Sequence, residues 1–265
     1  MARTRLFHAL SRFVGWAADR RIPGPLRSPI YRSYALFTGA NLAETRPPLS
    51  GYASLGAFFI RRLKDGARPV VSDPGLLASP VDGAVQHVGP ITGTSMLQAK
   101  GHEYSVRQLL DGVGADVDLD GGHAWTLYLS PKDYHRIHAP ESGTLSEVRW
   151  VKGARYSVNP AVLARRLVFP INDRCCLRLD TERGPILLVF VGAVNVGRIR
   201  VVGVEPQEGP ALAKPRKYEH GEELGRFEMG STVILITPPG MAAPSPTLAP
   251  HSAVRLGQSI GRYLA

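Results

Sequence analysis

Three segments of this 265-residue chain carry the side chains of nucleophilic chemistry. Ser79-Pro80-Val81-Asp82-Gly83 holds a carboxylate. Tyr134-His135-Arg136-Ile137-His138-Ala139-Pro140 holds two imidazoles, and Gly230-Ser231-Thr232 holds a hydroxyl. Serine is a weak nucleophile until a neighbouring base takes its proton, and an imidazole oriented by a carboxylate is such a base. The Gly230-Ser231 bond enters an apolar, β-branched run, Val233-Ile234-Leu235-Ile236. A Gly-Ser peptide bond held at such a bend is open to attack by its own serine.

Each group also has a reading without chemistry. Asp82 lies between Pro80 and Gly83, where an aspartate commonly bonds its own turn. Pro131 and Pro140 bracket His135 and His138, which would share one face of a helix but point to opposite faces of a strand; both could be structural. Ser231 could be no more than the first residue of a strand. Ser231, in Glu228-Met229-Gly230-Ser231-Thr232-Val233, does not stand in the G-x-S-x-G elbow of serine hydrolases. His-x-x-His lacks a third zinc ligand, and no H-E-x-x-H occurs. A metal-dependent hydrolase built on His135, His138 and Asp82 is one rival reading. A peripheral membrane module without catalysis is another; it accounts for charge and helices but not for the ordered Asp, His and Ser segments.

The elements that must position these groups change character along the chain. Residues 4–18 read as an amphipathic helix, with Leu6, Phe7, Leu10, Phe13, Val14 and Ala17 on one stripe and Arg5 and Arg12 opposite. Arg20 and Arg21 follow at its end, where positive charge suits the helix dipole. Such a helix suits a membrane interface, or a place on the surface of its own domain. Ser28-Pro29 predicts an N-cap and first helical position, with Tyr31, Tyr34, Leu36 and Phe37 continuing an apolar surface. A third helix is expected over Ser54 to Leu63. Beyond Pro69, short β-type runs alternate with Gly, Pro and Asp turns. Strands are expected at 84–88, 125–129, 145–151, 175–179, 186–191, 194–204 and 232–236, with short helices near 106–110 and 161–165. The Pro-rich stretch 237–250 reads as irregular. The class is therefore α+β, a mostly β catalytic body at 67–265 behind a helical, membrane-associating region at 1–66.

Bulk properties narrow the partners. Apolar residues make up 44% of the chain, enough for a sizeable core. Lys and Arg total 32 against 22 Asp and Glu, a formal charge of +10 that favours an anionic partner. Aromatic residues are sparse for single-strand nucleic-acid binding, and no stacking motif stands out. The two cysteines, Cys175 and Cys176, are adjacent, which excludes a disulfide framework and C-x-x-C metal spacing. No apolar run has the roughly 20 residues of a membrane-spanning helix.

Taken together, the segments resemble the phosphatidylserine decarboxylases, enzymes that build a pyruvoyl cofactor from their own serine. The resemblance rests on Pro80-Val81-Asp82-Gly83, on the run from Leu129 to Pro140, and on Gly225-Arg226-Phe227-Glu228-Met229-Gly230-Ser231-Thr232-Val233. Supporting stretches are Phe58-Phe59-Ile60-Arg61-Arg62-Leu63, Leu97-Gln98-Ala99-Lys100-Gly101 and Tyr156-Ser157-Val158-Asn159. Met229 stands where the family often has Leu, a swap of similar volume.

The resemblance implies that Asp82, His138 and Ser231 form a self-processing triad. Serinolysis at Gly230-Ser231 would give chains 1–230 and 231–265 and turn Ser231 into the covalent pyruvoyl group. It further implies a Schiff base between that group and phosphatidylserine, loss of carbon dioxide to leave phosphatidylethanolamine, and His135 as the candidate that returns a proton to the substrate carbon. A +10 chain then has an anionic membrane surface as partner, with no need of nucleic acid, and a peripheral place on the cytoplasmic face of the cell membrane. Oligomeric state is left open, a homodimer among the options.

Overall fold

The computed structural model describes residues 16–99, 102–193, 199–227 and 231–264. In chain order its strands are β1 (Leu76–Ala78), β2 (Gly83–Pro90), β3 (Ser95–Ala99), β4 (His102–Ser105), β5 (His123–Leu129), β6 (Arg136–His138), β7 (Gly143–Val151) and β8 (Arg174–Thr181). They continue as β9 (Gly184–Gly192), β10 (Ile199–Val201), β11 (Ala211–Tyr218), β12 (Glu223–Phe227), β13 (Ser231–Thr237), β14 (Ala242–Pro244), β15 (Ala253–Val254) and β16 (Ser259–Tyr263). A short helix at Leu55–Phe59 precedes them, and others at Val106–Leu110 and Pro160–Leu163 interrupt them. The body is mostly β, in the α+β class expected.

An eight-stranded antiparallel sheet, ordered β11-β7-β8-β9-β13-β5-β2-β15, forms the centre. β13 is its most enclosed strand, buried at all seven positions and paired with β9 on one side and β5 on the other. Continuous apolar runs such as Ile186–Val191 and Val233–Ile236 suit strands covered on both faces. Each such side chain removed from water contributes about 1.5–3 kcal/mol. Cys175 and Cys176 occupy neighbouring buried positions of β8, as their adjacency predicts.

Cross-strand register places Ser231. Leu127, Val233, Phe190, Cys175 and Trp150 are successive partners across β5, β13, β9, β8 and β7, so they share a face. A second sheet, β10-β12-β6, covers that face. Phe227 of β12 meets Phe190 with ring centroids 5.8 Å apart, and Trp150 donates to Ile199 O at 3.3 Å. Ser231, two residues ahead of Val233, belongs to the same face and is fully buried.

The helical region departs from expectation at two boundaries. The helix runs Gly24–Thr38 and carries Pro29 inside it, so Ser28 is not its cap. Pro25 fills the first turn, where a missing N–H is harmless, and the prolines at 23 and 25 start this helix rather than interrupting it. Tyr31 stacks on Phe58 at 4.4 Å, while Leu36 and Phe37 stand 83% and 87% exposed. Ser54 caps the next helix through Ala57 N, but that helix stops at Phe59 rather than Leu63. Among the described residues no helix is long and apolar enough to cross a membrane. Residues 1–15 of the expected N-terminal helix, and residues 194–198 of the expected strand at 194–204, lie outside the described residues. Of that strand β10 is the described part.

Candidate active site

Backbone pairing gathers the motif segments. His138 N donates to Pro80 O at 2.9 Å, which sets the histidine segment against the Asp82 turn. On its other side β6 pairs with β12, Glu223 opposite His138, and Phe227 N donates to His135 O at 3.1 Å. β12 is the strand whose end leads toward Ser231. The histidine pair is thus strung between the carboxylate turn and the approach to the serine. Gly230 itself lies outside the described residues.

The side chains are less directly joined than a contiguous triad requires. Asp82 is buried, and its carboxylate is taken by Arg68: Nε reaches Oδ1 at 2.7 Å and Nη2 reaches Oδ2 at 2.6 Å. Leu256 N adds a third donor at 2.8 Å to Oδ1. Arg68 also holds Glu44 at 2.9 Å, so one guanidinium ties two carboxylates together. His138 is bonded elsewhere: Nδ1 donates to Gly221 O at 2.7 Å, and Nε2 meets the Tyr134 hydroxyl at 3.2 Å. A carbonyl can only accept, so Nδ1 carries the proton and Nε2 accepts from Tyr134. Burial lowers the His138 pKa most; the Gly221 carbonyl and the charges of Glu223 and Asp82 oppose it, while Arg136 adds to the depression. Asp82 therefore acts on His138 through its field and not by contact.

His135 and Ser231 differ from this paired cluster. His135 Nδ1 donates to Asp133 O at 2.9 Å, and its ring packs on Phe59 with centroids 4.0 Å apart. Its Nε2 is buried without any partner among the described residues. Complete burial, chiefly, drops its pKa to about 3. The ring is neutral near pH 7 and Nε2 holds a lone pair, so any proton His135 delivers must first be collected. The Ser231 hydroxyl is likewise buried and unpartnered. Buried polar atoms are normally satisfied, and those left over mark sites worth explaining.

Two participants escaped the motif reading. Arg68 sits in Ala67-Arg68-Pro69 with no local pattern, and its partner is fourteen residues away. Tyr134 stood inside the histidine motif, four residues before His138, and that spacing is the signal that could have singled it out. Tyr134 and Arg68 both line two adjoining cavities, of about 440 and 300 Å³, one containing Asp82 and the other His138. Among the described residues no three His, Cys, Asp or Glu groups are clustered as a metal site would need. Asp82 faces Arg68 instead of converging with both histidines.

Comparison with known proteins finds similarity over nearly the full chain. The phosphatidylserine decarboxylase family pattern matches residues 55–262. A protein of Anaeromyxobacter sp. named phosphatidylserine decarboxylase proenzyme is 41% identical over 266 residues, covering 96% of this chain and 94% of its own. Proteins of the same name from Marinobacter nauticus and Pseudomonas fluorescens are 38% and 40% identical, each covering 96% of this chain and 93% of their own. Matched by the family pattern over residues 55–262 and by relatives about 40% identical over nearly its full length, the chain belongs to the phosphatidylserine decarboxylase family.

Proposed function

We propose that this chain is a phosphatidylserine decarboxylase proenzyme that cuts itself between Gly230 and Ser231, leaving chains 1–230 and 231–265 and a pyruvoyl group in place of Ser231. The observation that carries the reading is the buried Ser231 hydroxyl at the head of the central strand, which has no partner among the described residues. A serine serving only the fold would ordinarily bond there. The residues fit the group: the keto oxygen arises at Cα and the side chain becomes a methyl, so loss of the hydroxyl breaks no hydrogen bond that it makes among the described residues.

The first reaction is the chain's own. The Ser231 oxygen attacks the Gly230 carbonyl, an ester replaces the amide, and loss of the serine α-proton releases the upstream chain as a carboxylate. His138 is the base. Its Nδ1–H is fixed on Gly221 O, its depressed pKa keeps Nε2 unprotonated near pH 7, and Nε2 must release the Tyr134 hydroxyl to accept the serine proton. Asp82, held by Arg68 and Leu256 N, stabilises the imidazolium through space.

For the second reaction the pyruvoyl keto group supplies an electron sink for the carbanion left when carbon dioxide departs. His135 moves the proton at the substrate carbon. Its orphaned Nε2, in a dry setting against Phe59, collects and passes on that proton. The basic chain suits an anionic membrane as partner. Residues 1–66 form the membrane-facing region and 67–265 the catalytic body, peripheral on the cytoplasmic face of the cell membrane.

Intact mass after expression tests the reading. Two species are expected, 1–230 and 231–265, the smaller lighter by one ammonia than a hydrolysis product and blocked to Edman degradation. Protein that decarboxylates phosphatidylserine as a single uncut chain would overturn it.

A further inference from the structure

Three arginines among the described residues are buried: Arg61, Arg136 and Arg174. Two are satisfied. Arg136 grips Glu223 at 2.6 Å and donates to Ile60 O. Arg174 spreads its donors over the carbonyls of Leu109, Pro170, Asn172 and Gln108. Arg61, only 2% exposed, bonds Lys132 O at 2.8 Å through Nη2, while Nε and Nη1 have no hydrogen-bond partner among the described residues. It makes no ion pair with a carboxylate among the described residues, and burial lowers its pKa. A buried guanidinium with idle donors is costly unless an anion completes it.

Its surroundings say which anion. Arg61 lines the 440 Å³ cavity together with Lys132, Asn41 and Arg255. The carboxylates on that cavity are already engaged: Glu44 and Asp82 by Arg68, Asp133 by the amide and hydroxyl of Ser130. Arg61, Arg68, Lys132 and Arg255 outnumber these three carboxylates, so the cavity retains positive charge. One wall is Gly39, directly after the helix that exposes Leu36 and Phe37, and Tyr34 of that helix donates to Pro131 O beside Lys132. An apolar ridge next to a cationic cavity matches a ligand with an anionic head and apolar tails. The same cavity contains Tyr134 and Asp82, and the Arg61 charge is felt at His135. In a phosphatidylserine molecule the phosphate lies only a few bonds from the reacting amine.

We propose that Arg61, with Lys132, takes the phosphodiester of the lipid substrate, an assignment that rests on the decarboxylase reading above. Binding can be measured without any processed group, on the uncut Ser231→Ala chain by calorimetry. The probe is a short-chain phosphatidylglycerol below its micelle concentration, which has the phosphodiester and acyl chains but no amine. Binding is expected to weaken about tenfold or more in Ser231→Ala/Arg61→Met, and severalfold in Ser231→Ala/Lys132→Ala. Inorganic phosphate is the second probe and is expected to bind far more weakly. Equal affinity for phosphate and lipid would make this a free-phosphate site and overturn the lipid assignment. So would unchanged lipid affinity in both variants, with melting curves establishing that they are folded; if Arg61→Met does not fold, Lys132→Ala decides. Processed wild-type protein that binds the lipid yet releases no carbon dioxide from phosphatidylserine would sink the decarboxylase reading while supporting the phosphodiester site.

Discussion

The two halves of the site are built on opposite terms. Asp82 and His138 are fully engaged: Arg68 bridges two carboxylates, Leu256 N adds a donor to Asp82, and His138 is bonded at both nitrogens. Around Ser231 the reverse holds, with the serine hydroxyl and His135 Nε2 both buried and idle. Paired groups fix geometry and electrostatics at little risk. Idle groups give up stability but keep lone pairs free for a reaction. The difference separates residues that set the stage from residues that change covalently or move protons.

The sharpest way to break that comparison is Ser231→Ala. It should abolish processing entirely, leaving one full-length band on a denaturing gel, while the melting temperature stays level or rises, because the hydroxyl makes no bond. A large loss of stability would show that the hydroxyl is structural after all.

His135→Gln comes next. It should still cut itself, yet decarboxylate roughly 10²–10⁴-fold more slowly, the span of general acid–base contributions. The substitution also has a pH signature. The unfolded imidazole takes up a proton below about pH 6.5, whereas the folded one resists until about pH 3. In that window the unfolded state binds more protons, so the contribution is present above pH 6.5 and drains away as pH falls, by roughly 1.4 kcal/mol per unit. Denaturant midpoints for wild type and His135→Gln between pH 7 and pH 4 should converge as pH falls; parallel curves would contradict the burial argument.

Asp82→Asn sharpens the paired side. Because Asp82 influences His138 through space, cleavage should slow about tenfold to a hundredfold rather than stop, and precursor should accumulate in a timed gel. Stability should drop by about 1.5–3 kcal/mol, since Arg68 loses one of its two carboxylate partners and keeps only Glu44. Normal cleavage would remove Asp82 from the machinery.

The smallest effect expected is from deleting residues 1–20. Sedimentation with anionic vesicles should fall severalfold, with more activity lost on membranes than on detergent-dispersed substrate. Equal vesicle binding by two equally stable proteins would rule out the membrane role.

The central strands were legible because burial on both faces leaves an unbroken apolar signature, as in Ile186–Val191 and Val233–Ile236. β11 was not: Ala-Leu-Ala-Lys-Pro-Arg-Lys-Tyr is an edge strand, largely exposed and carrying a proline, and its pairing is decided by β7 alone. β6 was hidden between two prolines, and its partner lies far along the chain. In the site, the segments bearing Asp82, His135, His138 and Ser231 could be read because each has local character. Arg68 could not, since its role exists only once the Asp82 turn folds back onto it. The idle state of Arg61 is likewise invisible in one dimension, being a matter of which carboxylates its neighbours have already claimed.

The interior position of β13 bears on what a cut before Ser231 would leave behind. The 35-residue product would supply the enclosed β13, β14, β15 on the sheet edge against β2, and β16 wedged between β1 and β14. Such a piece is less a released peptide than the missing half of a split protein. Its two chains would co-purify through every native step and part only in denaturant. The larger chain by itself would lack the middle of its sheet, a natural case of fragment complementation in which breaking one covalent bond leaves the folded architecture indivisible.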